Sequence, residues 1–457
     1  MTATNQQSDL SVARAPLKAA LRRRPLAGRL FLLAPLFVAC GGSTENPTRE
    51  HDGGAGDAAS GVLLPSASEA GQSTDGDRRA DAATPDGMSV EPNGDGGVVA
   101  VPLFSCIPGE YVATGTLGAS QTFQFAIDTG STSMGVASST CTSCAVAPEY
   151  TPDTSATDEN QTASSQFGTG SWSGEVYKDS VSLGGSGVAP VDFVAIDSQS
   201  GFFTETACDS PTGALQGIIG FGPAASALPN TNAFFDQLVA TRGIPNVFAT
   251  MLCPTGGTLW LGGYDPAFTT AAPQYTTTTG SFLSPYYYAV DLVSMTVNGA
   301  TAPIGTPQYT DSVVDTGTSI IIIPSTAFTT LTNAIGASPA FQTIFGKGGA
   351  DAGNAASYFA DTSNCVAVSQ TKAELDAMLP PLTMVFGTAP AITVTAAPTE
   401  SYLVEYEGRF CPGLDPMDPS EDYPLAALLG SPLLRSNVII FDRANQRVGF
   451  APHTACP

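Results

Sequence analysis

From residue 101 onward, apolar and polar residues alternate over short stretches. Residues 111–117 and 122–127 read as strands with a two-residue period. Gly, Pro, Asn and Asp interrupt the pattern every few residues and mark turns. Helical spacing is confined to a few places. Residues 234–241 follow Asn232, a fair N-cap, and 327–334 and 372–378 are others. The pattern predicts an all-β body with few short helices.

Before residue 101 the pattern differs. The run 30–39 (LFLLAPLFVA) is apolar, follows Arg22, Arg23, Arg24 and Arg29, and ends at Cys40-Gly41-Gly42. Such a run is too short to cross a hydrocarbon core of ~30 Å, so it is expected to be an export signal. The ending Val38-Ala39-Cys40-Gly41 resembles a bacterial lipoprotein box, although Phe37 stands where that pattern usually has Leu. The resemblance implies lipidation of Cys40 and a lipid anchor to an outer membrane or cell surface; simple secretion is the alternative. The arginine run weakly resembles a twin-arginine signal. Residues 41–100 are mostly Gly, Ala, Ser, Asp and Pro and cannot bury enough surface to fold, so they read as a disordered acidic tether.

Charge narrows the function. The net charge is −24, with +5 over 1–40, −8 over 41–100 and −21 over 101–457. So acidic a body repels phosphates, so no nucleic-acid partner is expected. Its self-repulsion is relieved at low pH, which suits work in acid, though solubility of an exported protein explains it equally well. His51 and His453 are the two histidines of the sequence. A Ser-His-Asp or Cys-His site therefore has almost no base, and a multi-His metal site is impossible. Neither a metal nor a cofactor is expected. Eight of the nine cysteines lie in the body (Cys106, Cys141, Cys144, Cys208, Cys253, Cys365, Cys411, Cys456), an even count that reads as disulfides in an exported chain.

The chemistry lies in a repeated tripeptide. Asp128-Thr129-Gly130 ends an alternating run through Phe123, Phe125 and Ile127; Asp315-Thr316-Gly317 follows Val313-Val314. A carboxylate at the end of a buried strand, followed by a turn that glycine permits, is poised at the floor of a cleft. Each turn is followed far downstream by two aliphatics and a glycine: Ile218-Ile219-Gly220 and Leu428-Leu429-Gly430. The second half is longer, which places an insertion around 413–423. Two such turns can face each other across a pseudo-two-fold axis and bring two carboxyls together.

With these residues in place, 101–457 resembles the pepsin-like aspartic peptidases. The matching segments run in order: Phe125-Ala-Ile-Asp-Thr-Gly-Ser131, Phe167-Gly-Thr-Gly-Ser171, Gly217-Ile-Ile-Gly220, Phe235-Asp-Gln-Leu238, Leu259-Trp-Leu-Gly-Gly263, Val314-Asp-Thr-Gly-Thr-Ser319, Leu429-Gly430 and Val438 to Phe450. The resemblance implies two β-barrel-like lobes around a central cleft, one over 101–285 and the other over 286–457, with a shared sheet at the base. It implies an endopeptidase in which Asp128 and Asp315 activate a water. It assigns support of the dyad to Thr129, Gly130, Ser131, Thr316, Gly317 and Thr318, and a flap over polypeptide substrates to Phe167, Gly168 and Thr169. A monomer is expected. Two carboxyls ~3 Å apart repel by about 5 kcal/mol at an effective dielectric of ~20, so one keeps its proton through a broad acidic window. Pepsin is the standard illustration of that split.

The chain also departs from the pattern. Phe167 stands where the family has Tyr, Gly135 where it has Trp, and Ser431 where it often has Asp. The lost flap hydroxyl contact amounts to ~0.5–1.5 kcal/mol, which weakens catalysis without abolishing it. The resemblance pairs Cys365 with Cys411 and places a bridge at Cys141 and Cys144, for which a Cys-x-x-Cys redox site is the rival. Cys253 and Cys456 end strands assigned to the shared sheet and are expected to pair, leaving Cys106 with Cys208. A basic prosegment is not apparent: 41–100 holds Arg49, Arg78 and Arg79 as its basic residues, so the enzyme is expected to be constitutively active or governed by pH. A non-catalytic peptide-binding surface protein of the same fold is the alternative, and a stalked adhesin leaves the two turns unexplained.

Overall fold

The computed structural model describes residues 97–457, apart from 107–108, 169, 204–207, 209, 211–212, 230, 282, 347–354, 389, 421–422, 455 and 457. The readings made of Cys40, of the tether and of Thr169 at the flap tip fall outside these residues.

The described residues form two large sheets and one two-stranded sheet, Leu403–Tyr406 with Arg409–Pro412, with few helices, the longest being Ser325–Gly336. The first sheet has 13 strands. At one end Thr157–Gln166 and Ser171–Leu183, the segment expected to form a flap, pair as a hairpin, and Ala189–Ser200 pairs with the second of them. At its middle lie Glu110–Leu117, Gln121–Asp128 and Gly217–Gly220. Toward the other end, Val247–Cys253 pairs with Asn437–Asp442, which pairs with Arg447–Pro452. The end of the chain therefore returns to the sheet that carries the first carboxylate turn, so one base serves both halves. The second, 8-stranded sheet holds Ala289–Val297, Asp311–Val314, Ile321–Ile323 and Ala427–Leu429.

Burial does not follow the apolar–polar alternation in the strand that ends at the first carboxylate. In Gln121–Asp128 every residue from Phe123 on is buried. Phe123, Phe125 and Ile127 join the main core with Val314, Ile321 and Leu429 of the second half. The strand reads as continuous burial because its other face, through Ala126, is covered by a smaller cluster containing Val112, Ile218 and Trp172. Residues covered on both faces have no polar alternation to show.

The helices differ in how they start. Lys372–Met378 begins at Thr371 with a capping box to Glu374. Phe234–Arg242 starts at Ala233 without a side-chain cap. Asn232 does not cap it, because its Oδ1 accepts from the Asp192 N–H at 3.1 Å and its amide donates to the Asp192 carboxylate. The insertion region is not a loose loop. Leu414–Pro416 forms a strand parallel to Ile321–Ile323, and the Asp418 carboxylate accepts from the Ser325 N–H at 2.8 Å.

Candidate active site

The same local arrangement occurs twice. Gln121–Asp128 runs parallel to Gly217–Gly220, with Asp128 opposite Gly220, and Met134–Ala137 then returns antiparallel to the latter. In the second half, Asp311–Val314 runs parallel to Ala427–Leu429, and Ile321–Ile323 returns antiparallel to it. Each carboxylate turn is thus threaded beside an aliphatic strand that ends in glycine. Gly220 and Gly430 lie so tightly against the backbone of Thr132 and Thr318 that no Cβ fits. That contact is the physical content of the downstream aliphatic-aliphatic-Gly signal.

The two turns interlock through their threonines. The Thr129 hydroxyl donates to Val314 O at 3.0 Å and accepts from the Thr316 N–H at 3.0 Å. Reciprocally, the Thr316 hydroxyl donates to Ile127 O at 2.6 Å and accepts from the Thr129 N–H at 3.1 Å. These four bonds join residues 185 to 189 positions apart and are buried, so they fix the spacing of the two halves.

Asp128 and Asp315 are 5% and 6% exposed. Each accepts a backbone donor and a hydroxyl. For Asp128 these are the Gly130 N–H at 2.8 Å and Ser131 Oγ; for Asp315, the Gly317 N–H at 2.9 Å and Thr318 Oγ1 at 2.5 Å. The carboxyls stand against each other's turns. A Cβ on Gly130 would lie 2.7 Å from Cγ, Oδ1 and Oδ2 of Asp315. Burial, and then the charge of Asp315 beside it, push the Asp128 carboxyl well above the usual range, with the Ser131 hydrogen bond opposing. Such a site can hold one proton between two carboxyls at a pH where isolated carboxyls have lost theirs.

The hairpin expected to be the flap closes where Gln166 pairs with Ser171, and the Phe167 N–H donates to Gly170 O at 2.7 Å. Phe167 packs on Phe202 and Trp172, with ring centroids 5.0 and 6.0 Å away. Trp172 is the residue that the sequence reading passed over. Its Cζ2 lies 3.3 Å from where a Cβ on Gly135 would be. An indole from the Ser171–Leu183 strand thus occupies the space above Gly135, where the resemblance expects a Trp. A signal existed: Trp172 is one of two tryptophans in the chain and lies five residues after Phe167.

Ser431, in the position expected to carry Asp, is buried and donates to Gly109 O at 3.0 Å. The cysteines pair as Cys106–Cys208, Cys141–Cys144, Cys253–Cys456 and Cys365–Cys411. Four bridges suit an oxidising environment outside the cytosol.

Comparison with known proteins agrees with this geometry. Residues 110–453 match the family model described as "Eukaryotic aspartyl protease". Pepsin A of Sus scrofa is 26% identical over 360 residues, 77% of this chain and 83% of that protein. Cathepsin E of Rattus norvegicus is 28% identical over 369 residues, 77% and 82% of the two chains. An aspartic protease of Phaffia rhodozyma is 31% identical over 231 residues, which span 50% of this chain and 54% of that protein. With the family model matched over most of its length, this chain belongs to the aspartyl protease family and is an aspartic endopeptidase.

Proposed function

We propose that Asp128 and Asp315 are the catalytic dyad and that the enzyme hydrolyses peptide bonds of extended polypeptides at acidic pH. The observation that carries this reading is the interlocked pair of turns, in which each carboxyl stands against the glycine of the other turn.

The chemistry follows from a shared proton. The ionised carboxyl takes a proton from a water as that water attacks the peptide carbonyl. The protonated carboxyl gives its proton to the developing oxyanion. The tetrahedral adduct then collapses, the C–N bond breaks and the amine leaves with a proton from the dyad. No covalent enzyme intermediate forms. Gly130, Ser131, Gly317 and Thr318 hold the carboxyl oxygens by hydrogen bonds, while Thr129 and Thr316 hold the two halves in register. Phe167 and Gly168 belong to a flap that covers the substrate and excludes water. With no hydroxyl on Phe167, that cover is apolar.

The sequence further supports an exported monomer anchored through lipid on Cys40 and held off the membrane by the acidic tether. Digestion of an unfolded protein between pH 3 and 7 tests the dyad. The wild-type chain should cut in acid, and Asp128→Asn and Asp315→Asn should each lower kcat by about 10²–10⁴-fold. Equal activity in all three would end the proposal.

A further inference from the structure

Two buried hydrogen-bond donors of the body lack partners among the described residues. The Trp172 indole N–H and the Tyr423 hydroxyl have none among the described residues, although the two side chains are 3% and 8% exposed. Their positions correspond across the two halves. In a strand, side chains two residues apart share a face. Ala126 therefore shares the face of Asp128, and Ile218 stands opposite Ala126 in the neighbouring strand. Trp172 belongs to the same buried cluster as Ala126 and Ile218. In the second half, Val313 shares the face of Asp315, whose N–H continues the ladder by donating to Leu429 O at 3.0 Å. Leu428 stands opposite Val313, and Tyr423 belongs to the buried cluster that contains both. Each carboxylate thus rises from a strand face whose buried cluster includes one donor with no partner among the described residues.

An indole N–H can only donate. The Tyr423 phenol is held far above its ordinary titration range by burial and by the charge of Asp315, so it too acts as a donor in acid. A buried donor with no acceptor is costly and calls for an explanation. An extended polypeptide supplies main-chain carbonyls at a regular rise on alternating sides, which is the acceptor array that two separated donors would engage. The flap lacks the donor that a Tyr at 167 would have supplied.

We propose that Trp172 and Tyr423 are the substrate-anchoring donors of the cleft. When the flap closes, each donates to a main-chain carbonyl, Trp172 on the Asp128 side of the scissile bond and Tyr423 on the Asp315 side. This inference rests on the dyad reading above.

Trp172→Phe and Tyr423→Phe keep the rings and remove the donors. Steady-state kinetics on one long peptide and on versions shortened from each end provide the test. Each variant should lower kcat/KM for the long peptide about three- to tenfold. Each loss should vanish once the peptide is shortened from one end, and the two variants should respond to opposite ends. Thermal stability should stay level or rise, since an unpaired buried donor is removed. Unchanged kcat/KM at every length would overturn the inference, as would a loss independent of length or a loss that tracks a fall in Tm. Asp128→Asn, run on the same peptides, separates the two readings. If it cuts like wild type, the dyad reading fails. If it is inactive while both Phe variants match wild type, the anchoring donors alone fail.

Discussion

Gly317 lies directly against Asp128: a Cβ built on this glycine would stand 2.8 Å from the Asp128 carboxyl carbon and closer still to Oδ1. Gly130 repeats the relationship toward Asp315. Neither glycine has a positive φ, so backbone conformation does not demand it. What demands it is the carboxyl of the other turn. The glycine in each tripeptide therefore sets how closely the two carboxyls approach, and with it the energy of sharing a proton.

Gly130→Ala and Gly317→Ala should each push the opposing carboxyl aside. A displacement of ~1 Å at a reacting group can lower activity about 10²-fold. Overpacking should cost about 1–3 kcal/mol of stability. Steady-state kinetics and denaturant unfolding measure both, and full activity in either variant would mean that the carboxyls are not held as close as the geometry requires.

Stability should be greatest in acid. The carboxyls of Asp128, Glu110, Asp291 and Asp415 are all held above the ordinary range, by burial first. The charges of Asp315, Asp311 and Asp361 add to this at Asp128, Asp291 and Asp415 respectively. A carboxyl whose folded pKa is raised binds its proton more tightly folded than unfolded. Its contribution is complete below the ordinary value of ~4 and is lost as pH rises through the folded value. Asp153, Asp361 and Glu374 are shifted down by hydrogen bonds with Ser155, Ser363 and Thr371, so their contributions are lost only as pH falls below ~4. The Tm should therefore peak near pH 4 and decline toward pH 7. Asp128→Asn should flatten the decline, because it removes the charge that burial and Asp315 oppose. A Tm that climbs from pH 4 to pH 7 would contradict this assignment.

Restoring the family residue at 135 should harm this protein. Besides Trp172, Ile196 lies 3.1 Å from the position of a Cβ on Gly135. Two indoles do not fit over one strand. Gly135→Trp should cost about 1–3 kcal/mol or more and displace the flap strand. Paired with Trp172→Met, which vacates the space, the same substitution should regain much of that loss. Urea midpoints of the single and double variants measure the coupling, and purely additive effects would show that the two sites do not compete.

What the sequence could reveal depended on whether a signal was local. The strands leading to Asp128 and Asp315 and the glycines after them are each written within a dozen residues, because alternation and turn chemistry are local. The Trp172–Gly135 contact is not. It joins residues 37 positions apart and exists only once the Ser171–Leu183, Ala189–Ser200 and Met134–Ala137 strands align in register. The cap misassigned to Asn232 failed for a related reason: Asp192 competes for its side chain from another strand. The sequence marks 413–423 as an insertion rich in Pro and Asp and gives no sign of the strand at 414–416. Yet Pro416 ends an edge strand, where a missing N–H costs no ladder bond.

The disulfides should contribute unequally, in the order of the loops they close. Cys253–Cys456 spans 203 residues and ties Val247–Cys253 of the shared sheet to the chain terminus. Cys141–Cys144 spans 3. In the chain-entropy account, a cross-link restricts the unfolded chain more as its loop grows. Other ties hold the terminal strands too. Phe441 stacks on Phe248 with centroids 4.6 Å apart, and Arg443 pairs with Asp236 at 2.7 Å. These persist only while the sheet is formed, whereas the covalent bridge constrains the unfolded state as well. Replacing both Cys253 and Cys456 by Ala should cost about 2–5 kcal/mol, and replacing Cys141 and Cys144 about 1–2 kcal/mol. Denaturant midpoints of the two double variants decide the matter. If losing the short bridge costs as much as losing the long one, native-state geometry rather than loop closure governs what these bridges contribute.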